Sequence, residues 1–240
     1  MEPFLLGLRQ KIENAAVRPG RNETLRSNIQ EAYCYIRNRA PVEGDNRAEL
    51  TALEELCRKK MLEMDLAAAQ ASGRPPMAPV DIEYALAEFC DAFDIAAGAG
   101  GRRVDYHGNE DGQILVCCPD LVLKGTGFLI RLLMASGFHA VSVYTRFTAD
   151  YFLIRLHGSF GRPDADTPLR LMRRPELAAA RAVTLRHSGA LIGLLLGEKT
   201  DPIFCYPLIL HSDAAPPHVP EFCDYLCSRL SPVYTCLYGL

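Results

Sequence analysis

The stretch 115-LVCCPDLVLKGTGFLIRLLMAS-136 reads as a short apolar strand that runs straight into an amphipathic helix. Pro119 falls in the first helical turn, where its missing N–H is not needed. Leu121, Leu129, Leu132 and Leu133 then recur on an apolar face to about Ser136. Downstream, Val141, Val143, Thr145 and Phe147 alternate with Ser142, Tyr144 and Arg146, the two-residue period of a strand. Thr148-Ala149-Asp150 turns it into a second strand, Tyr151 to Leu156. A loop from Gly158 to Met172 leads to a helix that opens at Pro175 and ends near His187-Ser188-Gly189. Two apolar strands follow, 190-ALIGLLL-196 and 203-IFCYPLIL-210. Upstream, Asp81 caps a helix that carries Ile82, Leu86, Phe89 and Phe93 on one face and ends at 98-GAGG-101. Strands Arg102 to His107 and Gln113 to Cys117 flank the turn 108-GNEDG-112. Helix, strand, strand, repeated three times, predicts an α+β two-layer sandwich: one antiparallel-rich sheet with helices on one face. Beyond Asp213 the pattern predicts an added helix, Val219 to Leu230, and a short terminal strand.

Before this sandwich the chain is helical. Phe4, Leu5, Leu8, Ile12 and Ala15 form one stripe, stopped by Arg18-Pro19-Gly20. Leu25, Ile29, Ala32, Tyr33 and Ile36 form a second, which ends at 41-PVEGDN-46. A third helix runs from about Arg47 to Ser72, with Leu50, Cys57, Met64 and Ala71 at heptad spacing, Leu53 in the neighbouring row, and Lys60 interrupting that row. Ala67, Ala68 and Ala69 leave its end able to approach a neighbour closely. Leu25, Ile29 and Ile36 facing Leu50, Leu53, Cys57 and Met64 make a hairpin seam that a second chain would close as a four-helix bundle. The first stripe offers the alternative of folding back over that seam within one chain. Three prolines in 72-SGRPPMAP-79 read as a linker. The expected domains are therefore a dimerising helical hairpin over 1–74, the sandwich over 80–213, and a C-terminal extension over 214–240.

The chain has 240 residues, 49% hydrophobic and 23% charged, which excludes disordered and collagen-like classes. A net charge of -3 gives no electrostatic case for nucleic acid or a membrane surface. The apolar run 189-GALIGLLL-196 is about half of what a membrane span needs. The stretch MEPFLLGLRQKIEN carries charges where a signal peptide has its apolar core, so a cytoplasmic location with reduced thiols is expected for the nine cysteines. Cys223, Cys227 and Cys236 could be zinc ligands, but four are needed together, and small buried hydrophobes are the plainer reading.

The order of these elements, with 50-LTALEELCRKKMLEMDLAAAQASGRPPMAPVDIEYAL-86, 115-LVCCPDLVLKGTGFLIRLLMAS-136, 179-AARAVTLRHSGALIGLLL-196 and 197-GEKTDPIFCYPLIL-210, resembles the core of bacterial sensor histidine kinases. That family pairs a dimerising hairpin with a GHKL-type ATP-binding sandwich. The resemblance runs from about Asn22 to Leu210 and implies ATP with Mg²⁺ as cofactor, yet the residues that carry that chemistry differ. The phosphoacceptor His position, in 22-NETLRSNIQEAYCYI-36, falls on Glu23, and no His precedes His107. The Asn that helps hold Mg²⁺, a hard cation seeking oxygen ligands, falls on Leu132, with Phe128 at the earlier Asn. The adenine-binding Asp falls on Gly158 or, with a one-residue slip, on His157, beside Phe160 in 154-IRLHGSFGRPD-164. Leu132, His157, Gly158 and Phe160 would thus line a vestigial pocket. The glycine-rich lid is replaced by a stretch with Arg170, Arg173, Arg174 and Arg181, a cluster able to contact phosphate or a partner protein. His187 falls on a structural His at a helix end, where a cation suits the helix dipole. No nucleophile elbow, P-loop or dinucleotide fingerprint is present. The expectation is a degenerate, histidine-kinase-like dimeric adaptor or regulator in bacterial signalling, with no catalytic residue, no cofactor and no metal. It would partner a signalling protein, and neither nucleic acid nor a membrane. The alternatives are a divergent ATP-binding protein histidine kinase of a two-component system that uses the arginines in place of the lid, and a structural dimer with no signalling link.

Overall fold

The computed structural model describes residues 3–18, 22–39, 47–108, 113–161, 172–193, 201–209 and 214–240. The chain divides into two compact units, Met1–Ala71 and Ser72–Leu240.

The first unit is a bundle of three helices: α1 (Pro3–Asn14), α2 (Glu23–Arg39) and α3 (Arg47–Ala69), each packed on the other two. Leu5, Leu8 and Ile12 of α1, Leu25, Ile29, Ala32 and Ile36 of α2, and Leu53, Cys57 and Met64 of α3 are all buried in this single chain. Leu50 is half-buried. The side chains expected at a dimer seam are thus already covered by α1, and the fold-back arrangement is the one observed. Lys60, the irregular position of the third stripe, has its own role. Its ammonium donates to the Ala15 carbonyl (3.3 Å), just past the end of α1, and lies 3.2 Å from Glu63. A cation there satisfies carbonyls that the helix leaves unpaired. Burying a charge at the fully enclosed Ile29 should therefore unfold this bundle rather than dissociate a dimer. Ile29→Asp is expected to lose about 3 kcal/mol or more, read as lost helicity by circular dichroism. A soluble, fully helical variant of halved mass by light scattering would instead restore the two-chain seam.

The second unit begins with β1 (Ala78–Asp81), which pairs antiparallel with β3 (Ile114–Cys117), Pro79 opposite Val116. The proline-rich stretch read as a linker therefore ends in a strand. A two-stranded ladder tolerates Pro because the N–H it lacks can belong to the unpaired side. The Asp81 carboxylate then caps α4 (Ile82–Gly98), accepting from the Tyr84 N–H at 3.0 Å. Five further strands make one mixed sheet: β2 (Arg103–His107), β4 (Ala140–Phe147), β5 (Tyr151–Ser159), β6 (Ala190–Ile192) and β7 (Ile203–Pro207), in the order β2-β4-β5-β7-β6. Among the described strands only β2 and β4 pair in parallel, joined by the crossover through β3 and α5 (Pro119–Ala135). The alternation read from the sequence sets the two faces. Val141, Val143, Phe152, Ile154 and Leu156 are buried beneath the helical layer of α4, α5 and α6 (Pro175–Arg186), while Tyr144, Arg146 and Arg155 face solvent. Thr145 donates to the buried Glu83 carboxylate at 2.8 Å, tying β4 to α4 across this core.

The tail differs from its sequence reading. Residues 219–230 hold only a five-residue helix, α7 (Phe222–Leu226), and the expected terminal strand is a second short helix, α8 (Pro232–Cys236). Pro232 begins α8 just as Pro119 begins α5. Both helices pack on α4, and α8 also on α5, so 214–240 belongs to the second unit. Among the described residues no helix is long and apolar enough to cross a membrane.

Candidate functional site

The residues that the resemblance gives to a nucleotide site lie on α5, at the end of β5 and around the start of α6. Leu132 and Phe128 sit one turn apart on α5, 1% and 0% exposed. Neither offers an oxygen to a cation. On β5 the strand period separates the two alignments of the adenine carboxylate. Gly158 shares the face of Leu156 and Ile154 that looks toward the helices, and His157 lies on the opposite, solvent face. At Gly158 the space a side chain needs is filled, because an added Cβ would lie 2.7 Å from the Phe138 ring. Phe138 itself is buried. Phe160 follows with a positive φ of 53° and stands out into solvent, 82% exposed. Arg173, Arg174 and Arg181 are exposed around α6, and Arg174 occupies its N-cap position without a side-chain cap bond. Arg170 lies outside the described residues. Gly158 thus lies on the helix-facing side of the sheet, against Phe138, and His157 on the other face.

His157 belongs to a different group. Its Nδ1 is 2.8 Å from Asp201 Oδ1, and the other oxygen of Asp201 accepts from Arg155 Nε (3.0 Å) and Nη2. Partial burial pushes the Asp201 carboxyl up, but the hydrogen bonds from His157 and Arg155 outweigh it and hold its pKa below the ordinary value. This cluster braces β5 against the chain entering β7.

His187 is structural, in a different way from the one the sequence suggested. It is 2% exposed; Nδ1 donates to the Val183 carbonyl (2.7 Å), and Nε2 accepts from the Cys118 N–H (3.1 Å). That second bond requires a neutral ring, so His187 is no cation at the helix dipole. Burial drives its pKa down, opposed in part by the Val183 carbonyl. A base with a depressed folded pKa contributes stability that is complete above the unfolded pKa of about 6.5 and is lost as the pH falls toward the folded value. His187→Ala is expected to lose about 2 kcal/mol or more at pH 8, since it orphans the Cys118 N–H and leaves a void. The loss should shrink below pH 6, as chemical denaturation at the two pH values would show.

The sequence did not single out Arg131. Its guanidinium pairs with Glu176 at the start of α6 (Nε to Oε1, 2.9 Å) and donates through Nη1 to the carbonyls of Cys236 (3.0 Å) and Tyr238. The side chains are 13% and 6% exposed. One side chain therefore fastens α5, the start of α6 and the C-terminal segment together. Gly127, one turn before it, allows this approach, since a Cβ there would come within 3.1 Å of both Cys236 Sγ and the Phe89 ring. The signal was present in the sequence: Arg131 is the one charged residue between Gly125 and Ser136 of an otherwise apolar helix. Cys236 is buried while Cys223 and Cys227 are exposed, and no cluster of metal-ligating side chains occurs among the described residues.

The full-length protein ShkA in complex with AMPPNP is similar over 80% of this chain and 46% of its own, with a TM-score of 0.56 and 15% identity. Two further similar structures are the histidine kinase AdeS of Acinetobacter baumannii (TM-score 0.44, 14% identity, 87% of this chain and 94% of that one) and the nucleotide-free catalytic domain of the histidine kinase ThkA (0.45, 9%, 55% and 95%). No family model and no curated protein matches the sequence. The chain therefore shares a mixed α+β fold with ShkA, and at such low identity the likeness concerns the fold alone.

Proposed function

We propose that this chain acts by binding, as an adaptor or regulator in bacterial signal transduction, on a histidine kinase fold that no longer performs nucleotide or phosphoacceptor chemistry. The observation that carries this reading is the filling of the pocket. Leu132 replaces an oxygen ligand with a buried hydrocarbon, and Phe138 occupies the space that a carboxylate at position 158 would need. Charge-assisted contacts are each worth about 1.5–3 kcal/mol, so losing two lowers nucleotide affinity by two or more decades. Glu23 at the acceptor position offers no imidazole nucleophile, and the first unit holds no His at all. The partner is a signalling protein, and the protein works in the cytoplasm. If it forms a homodimer, the interface uses surface other than the buried seam of the first unit. The test is to offer the full chain labelled ATP with Mg²⁺, and separately a phosphorylated receiver domain. No acid-labile, base-stable label is expected. Label on any of the six histidines would favour an active phosphotransfer protein.

A further inference from the structure

We propose that the cavity beneath the C-terminal segment receives a second copy of this chain, whose Met172, followed by Arg173 and Arg174, seats there and joins the copies head to tail. The cavity holds about 440 Å³, with Phe89, Leu123, Pro217, Val219, Pro220 and Pro232 in its walls. Walls of that kind take a hydrocarbon side chain. Its surroundings are acidic. Asp224 is part of the lining, Glu221 closes the capping box with it, and Glu88 accepts from the Phe222 N–H (2.6 Å). Asp91 lies one turn beyond Glu88 on α4. Asp120 has a cation of its own, Lys124 at 3.0 Å, and the exposed His218 is the other basic group of the lining. Glu88, Asp91, Glu221 and Asp224 have no Lys or Arg partner among the described residues. Burial pushes the Asp91 carboxyl up, and the neighbouring Glu88 and Asp94 push it further, a repulsion that an incoming cation relieves. Tyr84 and Phe222, 45% and 43% exposed, add aromatic rings to this surface, and their faces favour a guanidinium.

The matching element is on the same chain. Met172 is 46% exposed, and Arg173 and Arg174 after it are exposed without an ion pair among the described residues. An unbranched thioether adapts to an irregular apolar pocket. A guanidinium pairs with carboxylates and stacks on aromatic faces. Within one copy the two patches do not meet. Glu176 at the start of α6 pairs with Arg131 near the C-terminal end of α5, while His187 at the end of α6 bonds the Cys118 N–H at the N-terminal end of α5. The two helices therefore run antiparallel. The cavity lies against the first turns of α5, and the arginines stand about 10 Å or more further along it. The contact thus joins different patches of two copies, an interface that adds copies in succession rather than closing a twofold dimer. Opposite charges across it set the register. It uses none of the seam buried in the first unit.

The experiment is sedimentation velocity on the full chain, without nucleotide, at about 0.05 M and about 0.5 M salt. At the lower salt the average mass should climb past that of two copies as the chain reaches about 0.5 mM, for a dissociation constant of about 0.1 mM. At the higher salt it should fall back toward one copy. Arg173→Glu with Arg174→Glu removes the inserting patch, and Val219→Trp fills the receiving cavity from its half-buried rim. Each variant alone should associate at least about tenfold more weakly, with the circular dichroism spectrum unchanged. Mixed, they should form a one-to-one pair that grows no further, since each keeps the patch that the other lacks. Asp91→Arg, at an exposed position, serves as the receiving-side variant if Val219→Trp does not fold. A wild type that stays one copy at about 0.5 mM would overturn the proposal and leave the cavity to a basic segment of another protein. A mass indifferent to salt, folded variants that associate as the wild type does, or a mixture that forms no pair would overturn it equally.

Discussion

Replacing Arg131 by methionine is expected to lower the unfolding free energy of the second unit by about 3–5 kcal/mol. The pair it breaks is nearly enclosed, with Arg131 13% and Glu176 6% exposed. A carboxylate stripped of its partner there keeps the desolvation penalty without the attraction that offset it. The Cys236 and Tyr238 carbonyls lose their donor in the same step, so the tail loosens as well. One further result distinguishes this account from a simple loss of packing. Adding Glu176→Leu to Arg131→Met should recover much of the loss, because it removes the orphaned charge. Urea denaturation followed by circular dichroism reads both, the chain having no Trp. A loss below about 1 kcal/mol, the worth of an exposed pair, would mean that Arg131 does not hold the three segments together.

Gly158→Asp, which places a carboxylate where the resemblance to histidine kinases aligns an adenine-binding Asp, is expected to destabilise the second unit by about 3 kcal/mol or more and to confer no nucleotide binding. Its Cβ would meet the Phe138 ring at 2.7 Å, and the carboxylate beyond it would point into the helix-facing side of the sheet. Overpacking alone costs about 1–3 kcal/mol, and an unpaired buried charge adds to it. Gly158→Ala should show the steric part by itself. Phe138→Ala combined with Gly158→Asp should relieve the clash, and Leu132 would still offer no oxygen to a cation. If Gly158→Asp is as stable as the wild type, Phe138 moves aside readily and the pocket is less closed than its packing indicates.

The helices and most strands were legible because each carries a single period over a long enough run. Asp81 and Pro119 mark helix starts that the structure places within a residue of the reading. The errors fall where the signal is short or long-range. Ala78–Asp81 holds a proline and only four residues, so its strand depends on pairing with β3, far along the chain. The tail helices are five residues each, too short for a periodic stripe, and Val233 and Cys236 are buried because α4 and α5 receive them. The three apolar stripes of the first unit were read correctly, but amphipathicity does not say whether the missing wall of a bundle comes from α1 or from a second chain. At the site, substitution was visible in the sequence while occupancy was not. Leu132 stands in the sequence where the resemblance expects an oxygen ligand, whereas the contact of Phe138 with Gly158 and the Arg131 fastening need the folded chain.

The central claim, that a histidine kinase fold here no longer takes up nucleotide, is tested most directly by calorimetric titration of the full chain with ATP and Mg²⁺. The account predicts no saturable heat up to about 1 mM nucleotide, in keeping with two lost anchors. Saturable binding of one ATP per chain in that range, abolished by substituting Arg173 and Arg174, would contradict it and establish a divergent nucleotide site at the start of α6.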